Sequence, residues 1–476
     1  MSREYDRRDF LKRCSSVGAG MVLGGVSGSS DASPREGGPL KFAAPRMDPV
    51  RVGFVGVGKR GPSLIRALLE LTGVEIRAVC DVQEDRVALA QDMVQQAGQP
   101  KPAGYAKGDS DFKRMCARND LDLVINAAPW EWHVPICVAA MEAGKHAATE
   151  VPAAVTIEEC WQLVETAEKT RRHCVILENC CYFRNVLMVL NMVRRGLLGE
   201  LLHCEAGYQH YRIANNVFDS KGKLLWCGQH EATRNGNLYP THAVGPVGQW
   251  LNINRGDRFD YLVSMSGKSR GLNIYAKKHF GPDHPSAGKT YALGDINTTL
   301  IRTANGLTVT LYHDTHSPRP YDLIYRVQGT EGLYMGTLDK IYVEGRSRGH
   351  QWEAIENYVE EFEHPLFKAQ ASNARGHGHG GADYLTLHRL ITALRSGTPT
   401  DMDVYDAAAW SVIAPLSERS VANRSRPQDF PDFTRGAWKT NAPLGIIGAS
   451  ICTKFPGQGW RSEPVVVQPE LENQAS

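Results

Sequence analysis

Tyr239 and His242 stand three residues apart in Arg234-Asn-Gly-Asn-Leu-Tyr-Pro-Thr-His242, where a glycine turn runs into an apolar stretch. On the first turn of a helix, that spacing sets a phenol and an imidazole on one face. Together they can pass a proton over a wide pH range, as oxidation of an alcohol or abstraction of a carbon-bound proton requires. Asn237 or Thr241 would cap the helix. Taken alone, such a pair is more often a structural aromatic beside a hydrogen-bonded histidine, so the chemical reading depends on the rest of the chain.

The second constellation is Gly56-x-Gly58-x-x-Gly61, following a β-rich apolar run and opening an amphipathic helix. Those glycines let backbone approach a pyrophosphate at the positive helix end. Asp81 ends the next apolar strand, where a carboxylate bonds the adenosine ribose hydroxyls and repels a 2′-phosphate. NAD is therefore expected over NADP. Ligands of such sheets lie beyond the carboxyl ends of the strands, where Trp130, Glu131, Trp132, His133, Glu150, Val151 and Asn179 fall. The tryptophans suit stacking on ribose or nicotinamide, or else they pack the loop. Tyr208, Tyr211 and Tyr321 are candidate sugar-contacting aromatics at strand ends. Gly376-His377-Gly-His379 lacks a third ligand at a recognisable spacing, so no metal is expected and the loop is read as leaning over the pocket.

These residues must be positioned by alternating elements. Strands are expected at Val50–Val55 and over residues 74–81, 121–128, 146–150 and 174–179, with helices over 62–71, 134–143 and at Glu84–Gln96 and Ile157–Thr170 between them. That rhythm is a doubly wound parallel sheet. After a helix over 186–198, strands follow without helices between them (201–208, 261–266, 296–302, 307–314, 322–328 and Gly332–Met335), then helices over 384–396 and 404–421. They predict a second, α+β part with a mixed or antiparallel open sheet. The expected division is a leader and linker over 1–46, a cofactor domain over 47–183, a substrate domain over 184–430 and a tail over 431–476.

With 54 basic and 52 acidic residues among 476, and no basic stripe, nucleic acid is not the expected partner. Arg7-Arg8-Asp9-Phe10-Leu11-Lys12 before a weakly apolar run reads as a twin-arginine export signal, which implies the export machinery as a partner and a periplasmic or extracellular destination. The run is shorter than the ~20 apolar residues of a permanent span. The cysteines show no CxxC or zinc spacing and read as mostly buried thiols, Cys180-Cys181 being the pair that oxidation could affect. The oligomeric state stays open, a homo-oligomer included.

Over residues 50–420 the chain resembles the glucose-fructose oxidoreductase and inositol dehydrogenase superfamily, and more closely glycoside hydrolase family 109, the NAD-dependent α-N-acetylgalactosaminidases. The matching stretches are Gly58-Lys-Arg-Gly61, Trp130 to His133, Glu150-Val-Pro-Ala-Ala154, Asn179, Arg234 to His242, Ser317-Pro-Arg-Pro-Tyr321 and His379-Gly-Gly-Ala-Asp-Tyr384. The resemblance implies a glycosidase in which C3 of the sugar is transiently oxidised by NAD, C2 is deprotonated, the aglycone is eliminated, water adds and C3 is reduced again. Arg60, Gly61, Asp81, Trp130 to His133, Glu150, Val151 and Asn179 would contact NAD. Tyr208, Tyr239, Pro240, Thr241, His242 and Tyr321 would contact the sugar, with Tyr239 and His242 moving protons. Val151 stands where sugar dehydrogenases of the superfamily carry lysine, which disfavours the alternative of a net oxidoreductase. Cys227 stands where the family is expected to carry arginine after a tryptophan, and Ala382 where methionine is usual. The cysteine leaves the substrate open and is the hint for a non-catalytic, NAD-holding sugar-binding protein.

Overall fold

Apolar runs of three to seven residues form a six-stranded parallel sheet in the order β3-β2-β1-β4-β5-β6: β1 Val50–Val55, β2 Val74–Cys80, β3 Ala103–Tyr105, β4 Leu123–Asn126, β5 His146–Thr149 and β6 Cys174–Ile176. Every residue of β4, β5 and β6 is buried, as a sheet covered on both faces demands. The crossovers are α1 Gly61–Leu69, α2 Glu84–Gln96, α3 Asp111–Cys116, α4 His133–Glu142 and α5 Ile157–Thr170. A complete capping box starts α5, with Thr156 accepting from the Glu159 amide while the Glu159 side chain returns to Thr156. The computed structural model describes residues 43–442 except position 215. The expected export signal, most of the expected linker and most of the tail lie outside the described residues.

The second sheet comprises β7 Leu201–Gln209, β8 Phe259–Ser266, β9 Ile296–Thr303, β10 Thr308–Asp314, β11 Arg326–Gly329, β12 Gly332–Met335, β13 Lys340–Val343, β14 Glu353–Ala354 and β15 Gln428–Asp429, in the order β14-β13-β12-β11-β7-β10-β9-β8-β15. Its centre is β7 Leu201–Gln209, parallel to β10 Thr308–Asp314 and antiparallel to β11 Arg326–Gly329, so the sheet is mixed. One hydrophobic core runs from Val52 and Phe54 in the parallel sheet through Leu187 and Val244 to Leu311 and Val327 in the mixed one. The nine described cysteines are buried thiols, Cys180 and Cys181 among them, so an oxidant has little access to that pair. Among the described residues no helix is long and apolar enough to cross a membrane.

Some expectations need correction. The helix expected over 404–421 is two, Val404–Ser411 and Ile413–Ala422, broken at Val412, three residues before Pro415. Neither Asn237 nor Thr241 caps the helix after Tyr239. That helix, Thr241–Trp250, is entered from Pro240 with no side-chain cap, and Thr241 is its first residue. Strands expected over 121–128 and 174–179 stop early, because their last residues turn into the site. Helices Trp226–Thr233 and Gly271–Phe280, the edge strands β14 Glu353–Ala354 and β15 Gln428–Asp429, and β13 Lys340–Val343 next to β14 were not anticipated. Beyond β15, Phe430 and Phe433 are buried, Phe433 against Trp161.

Candidate active site

The glycine turn leaves β1 with Gly56 at φ +83°, and a Cβ there would lie 2.5 Å from the Ala127 carbonyl carbon, so only glycine passes between β1 and β4. A Cβ on Gly61 would collide with the Gly56 carbonyl oxygen. No side chain caps the start of α1; Pro62 brings no N–H and the Ser63 amide donates to the Arg60 oxygen at 3.2 Å, so the helix meets an anion with its positive end rather than with a row of free amides. Asp81 is anchored beside this turn, accepting from the Val57 amide at 2.9 Å and the Gln83 amide at 3.0 Å. An uncapped helix start, a cradle too tight for a Cβ and a carboxylate past β2 fit an adenine dinucleotide.

Three more residues expected at the cofactor meet in one buried network. The Arg60 guanidinium donates to Glu150 Oε1 (2.7 Å) and to both Asp383 oxygens (2.5 and 2.7 Å), while the Asn179 amide donates to Asp383 Oδ1 (2.7 Å). Burial pushes the Asp383 carboxyl up, but Arg60 and His379 outweigh it and hold it well below the carboxylate range. His379 Nδ1 lies 3.1 Å from Asp383, and His377 Nε2 lies 2.9 Å from Glu70. Val151 is buried beside Glu150. His133 has a structural position: its ring nitrogens lie 2.6 Å from the Pro152 oxygen and 2.8 Å from the Ala128 oxygen, tying the loops after β4 and β5 together. Trp132 packs edge-on against Phe112, and Glu131 faces His230 at 3.5 Å.

The candidate sugar residues Tyr208, Tyr239, His242 and Tyr321 form an aromatic cage, and Trp130, expected at the cofactor, joins it. Trp130 stacks on Tyr239 with ring centroids 5.6 Å apart, Tyr208 lies 4.7 Å from Tyr239, and His242 lies 5.0 Å from Tyr239 and 5.4 Å from Tyr208. Tyr321, 47% exposed, closes one side at 6.3 Å from Tyr208 and 4.9 Å from His210. Trp226 adds an edge at 5.3 Å from Trp130. Tyr211 has no part in this cluster and points to solvent. On the far side of Tyr321 a groove of about 670 Å³ runs between Asn185, Arg319, Asp322 and Thr337.

Sequence reasoning missed the partner that gives His242 its chemistry. Glu178, fully buried just past β6, accepts from His242 Nδ1 at 2.7 Å and from the Cys180 amide at 3.0 Å. Burial pushes the Glu178 carboxyl up, but its pairing with His242 and the Cys180 amide leave it below its ordinary value. An ionised Glu178 accepts only, so Nδ1 is the nitrogen that donates to it, and in the neutral imidazole the lone pair is then on Nε2. An acid just past a strand's carboxyl end was the available signal. Behind the pair, the Tyr325 hydroxyl donates to the His242 carbonyl oxygen at 2.5 Å from a left-handed backbone at Ile324 (φ 65°) and Tyr325 (φ 41°). Ligand-type atoms of Glu178, Cys180 and His242 lie within 4.8 Å of one another, yet the carboxylate oxygen among them already serves His242 and Cys180. Burial pushes the Tyr239 phenol well above its ordinary value, keeping it protonated at neutral pH.

Residues 182–440 match the family model "Glycosyl hydrolase 109, C-terminal domain", and residues 50–177 match "Oxidoreductase family, NAD-binding Rossmann fold". A glycosyl hydrolase family 109 protein of Shewanella pealeana is 47% identical over 455 residues, covering 94% of this chain and 100% of the relative. One of Shewanella baltica is also 47% identical, over 93% of this chain and 99% of its own length. Among solved structures, a levoglucosan dehydrogenase in complex with NADH and levoglucosan superposes with TM-score 0.64 at 19% identity, covering 80% of this chain and 100% of that one. An inositol dehydrogenase homolog from Azotobacter vinelandii complexed with NAD+ gives TM-score 0.60 at 19% identity, over 82% and 99%. The parallel sheet is thus an NAD-binding Rossmann layer.

Proposed function

Since the chain belongs to glycosyl hydrolase family 109, we propose that it hydrolyses N-acetylhexosaminides, α-N-acetylgalactosaminides foremost, with no net oxidation of the sugar. The carrying observation is the Glu178–His242 pair set inside the aromatic cage, next to the loops that fit NAD. When bound, NAD would supply a reversible hydride acceptor for the sugar's C3 carbon, the C3 hydroxyl proton passing to water as the ketone forms and returning when C3 is reduced again. Trp130, Tyr208 and Tyr321 offer ring faces and edges to the C–H surfaces of a sugar, while Pro240 and Thr241 fix where Tyr239 and His242 sit. His242 Nε2, its tautomer fixed by Glu178, takes the proton from C2, and Glu178 stabilises the imidazolium. Tyr239, kept neutral by burial, donates to the C3 oxygen, where negative charge gathers when C2 loses its proton. The aglycone leaves toward the groove beyond Tyr321. Val151 brings no amine to the site, which disfavours net dehydrogenation.

With NAD, the purified protein is expected to release phenol from aryl α-N-acetylgalactosaminides without accumulating NADH, and in deuterated water the product carries deuterium at C2. Tyr239→Phe and His242→Ala should each lower kcat by ~10²-fold or more. Intact glycosides together with NADH accumulating on free sugars would make the protein a net oxidoreductase instead. We also propose that Arg7 and Arg8 direct the folded chain out of the cytoplasm. Replacing both by lysine should retain the protein in the cytoplasmic fraction, and unchanged export would refute the assignment.

A further inference from the structure

Arg212 follows β7 and reaches back under the cage. Its backbone amide donates to the Thr315 oxygen at 3.2 Å, which fixes where the side chain starts. The guanidinium carbon lies 5.7 Å from the Tyr239 ring centroid, and Nη2 reaches Cys227 Sγ at 3.3 Å. The side chain is half-buried, yet among the described residues it forms no ion pair. The nearby carboxylate, Glu231, acts on it only at longer range, being engaged by His316 at 3.0 Å and approached by Cys227 Sγ at 3.9 Å. A guanidinium has five donors; the Cys227 thiol takes one weakly and the Tyr208 hydroxyl, itself in contact with His210, engages another, and neither is an anion. Leaving such a charge part-desolvated and unpaired is costly unless a ligand completes it.

We propose that Arg212 is a further substrate-contacting residue, its guanidinium hydrogen-bonding an acceptor oxygen of the sugar held against Tyr239. Cys227 is the small neighbour that leaves it room. A larger cationic side chain at position 227 would occupy the place the guanidinium now takes, since Cys227 Sγ is already in hydrogen-bond range of it. The site thus takes a sugar rich in acceptor oxygens, as an acetamido carbonyl provides. This assignment rests on the glycosidase reading for its substrate and on its own geometry for the residue.

The test uses the NAD-loaded protein, with an aryl α-N-acetylgalactosaminide for turnover and calorimetric binding of free N-acetylgalactosamine as a readout independent of turnover. Arg212→Gln should lower kcat/KM and weaken sugar binding by roughly 10- to 150-fold, the range for hydrogen bonds to a charged group. Arg212→Lys keeps the charge without the planar fork and should recover part of both losses. Cys227→Arg should harm the wild type, where two guanidiniums crowd one place, and benefit Arg212→Gln, where it restores the missing one. That reversal of sign is not expected of a residue that only holds the fold. The proposal falls if Arg212→Gln stays within about threefold of wild type in both readouts, or if Lys and Gln variants are equally damaged in turnover while sugar binding is unmoved. If wild type binds the sugar but cleaves no glycoside, the glycosidase reading fails, and the binding readout still judges Arg212.

Discussion

At the scale of single residues, the proposed chemistry rests on Glu178, a buried carboxylate set behind His242. Glu178 fixes which nitrogen of His242 is free, and Glu178→Gln keeps the shape while removing the charge that would balance an imidazolium. The expected outcome is a kcat lower by ~10² to 10⁴-fold with KM little changed, measured on an aryl glycoside. Glu178 in the fold sits below its ordinary value, so its share of stability is complete above that ordinary value and is lost as the pH falls through the folded one. Acid unfolding of Glu178→Gln, followed by circular dichroism, should therefore lack that part of the wild-type loss. Tyr239 and His242 were legible as a pair because they are close in sequence, but not as two residues of one helical turn: the helix begins at Thr241, so His242 is on it and Tyr239 stands just before its Pro240 entry. Glu178 was not legible, since it stands 64 positions from His242 and looked like the end of an apolar strand.

At the scale of elements, the parallel strands were legible because their buried runs alternate with helices of clear period. Helix Trp226–Thr233 was not, because Trp-Cys-Gly-Gln-His-Glu-Ala-Thr has no apolar stripe. Charge holds it instead: Glu231 on this helix meets His316, whose other nitrogen faces Asp295 at 3.2 Å. Burial alone would push the His316 imidazole down, but its bonds to Asp295 and Glu231 outweigh that and raise it to about 9. A raised value means that the stabilisation is complete below the ordinary histidine value and is lost as pH climbs through about 9. His316→Gln leaves Glu231 buried without its cation, so unfolding free energy at pH 7 should drop by ~3–5 kcal/mol, and the alkaline loss seen in wild type should flatten. Equal urea midpoints for the two proteins at pH 7 would show that packing, not charge, fixes this helix. The short strands β13 to β15 escaped notice for another reason: two to four residues carry too little pattern to separate a strand from a loop.

At the scale of the whole molecule, the fold class was legible from rhythm alone, whereas the tie between glycine turn and distant helix was not. Arg60 and Asp383 lie 323 positions apart, and nothing local marks them as partners. Asp383 opens the helix Ala382–Ser396 and accepts from Arg60, Asn179 and His379 while almost fully buried. Arg60 belongs to the turn that fits the cofactor phosphates, so this carboxylate holds the cradle shut from the far end of the chain. Asp383→Ala removes the counter-charge and leaves the guanidinium part-buried with Glu150 alone. The expected result is a loss of ~3–5 kcal/mol in stability together with weaker NAD retention. Both can be read without turnover, by thermal unfolding with and without added NAD and by assaying the nucleotide released when the gel-filtered protein is denatured. Added NAD should raise the variant's midpoint toward that of wild type, because a ligand bound only by the folded state stabilises by mass action. A variant that keeps its nucleotide as wild type does, yet is less stable, would confine Asp383 to folding and leave the cradle to the glycines and Asp81.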